Sequence, residues 1–102
     1  MGNTIISARN GVADIALGVE VWKEGPSYIA YTSDLDISSV GKTANQAKSR
    51  LREAVSLFIE EAARTGTLAA ILEESGFERR GKTYRPRPVL AREKMTLALP
   101  AA

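Results

Sequence analysis

Residues 43–66, TANQAKSRLREAVSLFIEEAARTG, decide the architecture. Ala47, Leu51, Ala54, Val55, Phe58 and Ala62 recur at helical spacing and form one apolar stripe, while Lys48, Arg52, Glu60 and Glu61 fall on the wet side. The run has a start signal: Thr43 stands where its hydroxyl can accept the backbone N–H of Gln46, and Gln46 can reach back in the capping-box manner, so the helix begins at Ala44. It has a stop signal in Gly66, suited to a left-handed exit. A helix of some twenty residues with a single apolar stripe needs a sheet or another helix to cover that stripe.

The sheet lies upstream. Ile15, Leu17, Val19 and Val21 alternate with residues such as Glu20, the period-two signature of a half-buried strand continuing to Trp22. Gly25-Pro26 breaks the run, with a turn over residues 24–27, and the β-prone segment 28–32 (YIAYT) follows as an antiparallel neighbour. Ahead of these, residues 4–9 are β-prone and lead into Asn10-Gly11, the dipeptide favoured in two-residue hairpin turns. Residues 34–41 read as an irregular connection with at most a short extended piece at Ile37.

Downstream of the long helix, Thr67 is placed to cap a short second helix carrying Leu68, Ile71 and Leu72. Gly76 ends it, and Phe77 is set to fold back on Leu72. Beyond Phe77 the composition turns to Arg, Lys, Gly and Pro, and the stretch 85–88 cannot be helical. Met95, Leu97 and Leu99 alternate with Thr96 and Ala98 and predict a closing strand, paired with the sheet or with another subunit. The fold class expected is therefore α+β: a small antiparallel sheet of three to four strands covered by one long amphipathic helix, plus a short second helix and a C-terminal strand. Residues 1–77 form its body; residues 78–102 form a basic extended tail ending in a strand, within the same domain or as a dimer contact.

Composition narrows the chemistry. At 102 residues the chain has room for one domain, and 44% hydrophobic with 25% charged residues is ordinary for a globular protein. With neither cysteine nor histidine, thiol catalysis, disulfide frameworks and the usual zinc sites lose their central residue. No apolar run approaches a membrane span and no secretory leader is evident at the start, so a cytoplasmic location without membrane contact is expected. The net charge of +2 divides unevenly: residues 1–77 hold seven Lys/Arg against ten Asp/Glu, and residues 78–102 hold seven against two. The tail residues Arg79, Arg80, Lys82, Arg85 and Arg87 are candidate contacts for nucleic acid or another partner, although prolines interrupt them and no stacking array accompanies them.

Catalytic constellations find little support. Asp14 and Glu20, on one strand face, are roughly 20 Å apart at about 3.3 Å per residue, too far to share an ion. Asp34 and Asp36 suit turn formation. Gly41-Lys42-Thr43 resembles the end of a phosphate loop, but the required earlier glycine falls at Asp36. Ser38 and Ser39 have no histidine to activate them. Trp22, Tyr28 and Tyr31 suggest a base-stacking platform, yet alternation sends Tyr28 and Tyr31 to opposite faces. No catalytic residue, metal or cofactor is expected.

The run 28–54 resembles the HicB-type antitoxins. Tyr28 and Ala30 match that pattern's strand, Asp34 and Leu35 its aspartate-leucine pair, Gly41 and Thr43 its helix start, and Ala47, Leu51, Glu53 and Ala54 its helix. The sequence departs from the pattern in having Ser33 before the pair and Asp36-Ile37 where relatives place a glycine, which implies a differently shaped loop. Residues 78–102 also lack a helix-turn-helix or ribbon-helix-helix. The resemblance implies a partial ribonuclease-H-like fold without the nuclease's acidic cluster. It further implies a non-enzymatic antitoxin that masks a small HicA-like ribonuclease toxin, the toxin's own histidine cleaving messenger RNA. A homodimer or higher homo-oligomer is expected from the terminal alternating segment and from open sheet edges. The alternatives are a small nucleic-acid-binding regulator using the basic tail, or an oligomeric assembly module without a toxin.

Overall fold

A single apolar run feeds two sheets. The computed structural model describes residues 3–7 and 13–101, in the order β1 (Asn3–Ser7), β2 (Asp14–Gly18), β3 (Glu20–Glu24), β4 (Ser27–Thr32), β5 (Ile37–Gly41), α1 (Ala44–Thr65), α2 (Leu68–Glu74), β6 (Glu78–Arg80) and β7 (Thr83–Arg85). The stretch 15–22, expected as one strand, divides at Val19 into β2 and β3. β2 belongs to a four-stranded sheet of order β1-β2-β7-β6, and β3 to a three-stranded antiparallel sheet of order β3-β4-β5. The division has a local cause: the Gly18 N–H donates to the Asp34 carboxylate at 2.8 Å, which ties the junction to the β4–β5 turn. β2 has a neighbour on each side, and Ile15, Ala16 and Leu17 are all buried rather than alternately so. The expected Asn10-Gly11 turn lies outside the described residues, but the antiparallel pairing of β1 with β2 is the one such a turn serves.

The class read from the sequence is the one observed, α+β with one long and one short helix and C-terminal strands. Several local readings change. Residues 37–41 are not irregular: they form β5, paired along its length with β4 from Thr32↔Ile37 to Tyr28↔Gly41. Two serines and a glycine lower the apolar content of ISSVG, yet Ile37 and Ser39 still alternate with Ser38 and Val40. The C-terminal strands lie earlier than expected, in the hairpin β6–β7, and β7 returns parallel to β2 through Asp14↔Thr83 and Ile15↔Tyr84. Residues 95–99 form no strand. An alternating segment becomes a strand only where it pairs with an edge, and residues 95–99 pair with none of the edge strands β1, β6, β3 and β5.

α1 lies on the face of the three-stranded sheet that presents Val21, Ala30 and Ile37, and its buried residues are Ala47, Leu51, Val55 and Ala62. Phe58, expected in the stripe, is 37% exposed, while Ile59 packs on the core instead. A helix of 22 residues is about 33 Å long and strands of five or six residues reach about 17–20 Å, so the sheet cannot cover its whole length. At the N-terminus the Thr43 hydroxyl accepts the Gln46 N–H at 3.0 Å. The return bond is shifted by one residue, because Gln46 Oε1 takes the Lys42 N–H, at 2.6 Å.

Both helices close with Schellman pairs. Gly66, at φ 77°, donates to the Ala63 carbonyl and Thr67 to that of Ala62. Gly76, at φ 83°, donates to Glu73 and Phe77 to Leu72, with Leu72 and Phe77 both in the core cluster as the sequence predicts. Thr67 does not cap α2 with its side chain: its hydroxyl is engaged with Thr65 and the Ala62 carbonyl. Thr32, fully buried at the end of β4, has a hydroxyl with no hydrogen-bond partner among the described residues. No helix among the described residues is long and apolar enough to cross a membrane.

Candidate protein-binding surfaces

Three of the residues carrying the resemblance, Asp34, Gly41 and Thr43, stand at joints of the fold. Tyr28 and Ala30 sit on the helix-facing side of β4, and Leu35 packs on the core from the β4–β5 turn. Asp34 braces that turn against Gly18, as described. Gly41 is buried at the end of β5, where a Cβ would lie 2.5 Å from the Ala47 backbone nitrogen. Thr43 caps α1, Ala47 and Leu51 are core, Ala54 is half-buried and Glu53 is exposed. Asp36 occupies the part of the loop where the pattern has glycine, and its backbone takes the left-handed conformation, φ 55°. Aspartate tolerates that region better than most residues, so the departure costs the turn little.

Among the described residues no helix covers the opposite face of the three-stranded sheet. The registers Glu20↔Tyr31, Trp22↔Ile29 and Ile29↔Val40 place Trp22, Ile29, Tyr31 and Val40 side by side there. Trp22 is 42% exposed and meets Tyr31 edge-on, with ring centroids 6.2 Å apart at 71°. Tyr28, as alternation requires, is on the other side, under the Lys23 ammonium at 5.8 Å. The rim is acidic: Glu20 and Glu24 share the face, and Asp36 accepts the Tyr31 hydroxyl at 2.8 Å. This surface needs β5 for its definition, and ISSVG announces a strand only weakly, its β-branched Ile37 and Val40 falling on opposite faces.

The hydrogen bond to Asp36 raises the Tyr31 pKa above the ordinary tyrosine value, with desolvation and the negative charges of Asp36 and Glu20 adding to it. The folded state thus holds the phenolic proton more tightly. That contribution to stability is present below the ordinary value and is lost as pH rises through the elevated one. Asp36→Asn is expected to bring the Tyr31 titration back toward the ordinary value, read from phenolate absorbance against pH with a Tyr31→Phe variant as the reference.

The basic candidates are divided by the β6–β7 hairpin. Arg79 and Tyr84 are cross-strand partners, with the guanidinium 5.8 Å from the ring centre and its Nε donating to the Gly81 carbonyl. Arg80 pairs with Glu78 at 3.4 Å and, with Arg85, Pro86 and Pro88, lines a hollow of about 360 Å³. Lys82 is exposed in the turn, where its carbonyl accepts the Asp14 N–H. Arg87 lies over Gly76. A cleft of about 640 Å³ separates Arg85, Arg87 and Arg92 from Gly18, Glu20, Ser33 and Asp34. A smaller groove of about 310 Å³ runs between α1 and β2, floored by Leu17, Leu51 and Val55 with Lys48 and Arg52 at its lip.

Comparison with protein-family models, curated proteins and solved structures gives no match to the chain. Function must be read from these surfaces. The Asp34 carboxylate accepts the Gly18 N–H and that of Asp36 the Tyr31 hydroxyl, and among the described residues no three acids gather where they could hold a metal ion. The arrangement offers apolar faces with charged rims, a chemistry suited to binding another macromolecule.

Proposed function

We propose that this chain is a HicB-like antitoxin, a cytoplasmic, non-enzymatic protein that binds and masks a small HicA-like ribonuclease toxin. The observation carrying the proposal is the parallel return of β7 beside β2 after the β3–β4–β5 meander and α1. That order is in keeping with the partial ribonuclease-H-like arrangement the resemblance implies, and the matching residues Asp34, Gly41 and Thr43 act at its joints. Inhibition works by occlusion. An RNA-cleaving toxin carries a basic RNA-binding surface, so the acidic body is its complement and the arginine-rich tail is not. Residues 53–77 hold five glutamates against one arginine, with Leu57 exposed among them. The protein acts as a homodimer or higher oligomer.

The test is co-expression with the product of the adjacent short reading frame, followed by pull-down and an assay of messenger RNA cleavage. Stoichiometric capture with loss of cleavage is the expected result. Glu73→Lys with Glu74→Lys is expected to weaken capture about tenfold or more. A neighbouring ribonuclease that is neither captured nor inhibited overturns the proposal. The alternative of nucleic-acid binding draws on Arg80 and Arg85 sharing one hollow; it requires affinity for random RNA or DNA that falls steeply with salt.

A further inference from the structure

We infer that the open face of the β3–β4–β5 sheet is the docking site for the C-terminal segment of a second copy of this chain, residues 89–99, exchanged reciprocally. The inference rests on the oligomeric part of the reading above and names the surface and the segment that make it. Residues 86–101 form no helix or strand, and their large apolar side chains are left in water: Leu90 is 98% exposed, Leu97 74% and Leu99 90%, with Val89 and Met95 exposed as well. The open sheet face has the opposite lack, a floor of Trp22, Ile29, Tyr31 and Val40 on which no described helix packs, with Trp22 42% and Val40 48% exposed.

Charge selects the pairing. The face is rimmed by Glu20, Glu24 and Asp36 and presents no lysine or arginine among the residues alternating toward it. The segment carries Arg92 and Lys94 against Glu93, and follows Arg85 and Arg87. Position agrees, because Val89 and Arg92 line the same cleft as Glu20 and Asp34, so the segment leaves the body at the rim of the face and runs on exposed. Alternation of Met95, Leu97 and Leu99 gives an extended segment one apolar side to lay on the sheet. A two-fold exchange uses the same face and segment in both copies, so each contact counts twice toward the roughly 1,200–2,000 Å² that a stable interface buries.

Trp22 is the single tryptophan, so its emission reports the face directly. In the full chain, emission is expected to be blue-shifted at tens of micromolar and to move red on dilution, in step with dissociation followed by sedimentation. Leu97→Asp with Leu99→Asp, at exposed positions that leave the fold intact, is expected to weaken association at least about tenfold and keep the emission red. Glu20→Lys with Glu24→Lys is expected to weaken self-association likewise. Mixing that variant with Arg92→Glu, Lys94→Glu is expected to restore a pair. A dimer that survives Leu97→Asp, Leu99→Asp with Trp22 unmoved overturns the docking site while leaving the oligomeric reading in place. A blue shift independent of concentration in a monomer also overturns it, by showing the segment on its own sheet. A strict monomer with red emission at every concentration defeats both.

Discussion

Gly41→Ala is expected to cost about 3 kcal/mol of folding stability, although only one methyl group is added. The reason is where the methyl must go. A Cβ at position 41 lies 2.5 Å from the Ala47 nitrogen, 2.9 Å from the Gln46 carbonyl carbon and 3.0 Å from the Ala47 Cα. All three are backbone atoms of the first turn of α1, so no side chain can rotate aside. Either the helix lifts from β5 or the strand end bends away, and each movement disturbs the Thr43 cap and the buried contacts of Ala47 and Leu51. Urea unfolding is expected to show a lower midpoint at an unchanged slope. A loss under about 0.5 kcal/mol means that the close approach of strand and helix does not exist in solution.

Leu17→Ala is expected to lose about 3–4 kcal/mol, within the range for emptying a well-packed leucine site. Leu17 is among the largest fully buried side chains, 1% exposed, in the core cluster with Leu51 and Val55. Neighbours on both sides of β2 hold its backbone, which limits collapse around the cavity. In a domain whose whole stability is about 5–15 kcal/mol, the melting temperature is expected to fall by roughly 15 °C or more. Leu57→Ala, at a position 66% exposed, is expected to stay within about 0.5 kcal/mol and is the matched control.

Legibility in the sequence followed how local each cause is. α1 was readable from cap to Schellman ending because Thr43, the apolar stripe and Gly66 all act within a turn or two of the chain. The turn between β3 and β4 was readable because Gly25-Pro26 stands between two β-prone runs, whereas the break at Val19 that separates β3 from β2 was not. The parallel pairing of β2 with β7 was not, since it joins residues far apart and β7 is only three residues long inside an arginine-rich stretch. Phe58 was misread because a helical stripe shows which side is apolar and not how far the sheet extends beneath it. The resemblance residues were found from their order; their physical roles emerged only with Asp34 against Gly18 and Gly41 against Ala47. The face around Trp22 needed β5 for its definition.

The register Asp14↔Thr83 also orders events in time. The meander β3–β4–β5 and α1 assemble from contacts close along the chain, whereas joining β7 to β2 closes a loop spanning most of it, an entropic cost met only after the nearer pieces have condensed. The β6–β7 hairpin is therefore expected to dock last during folding and to open before α1, so that its amides exchange faster than those of the helix.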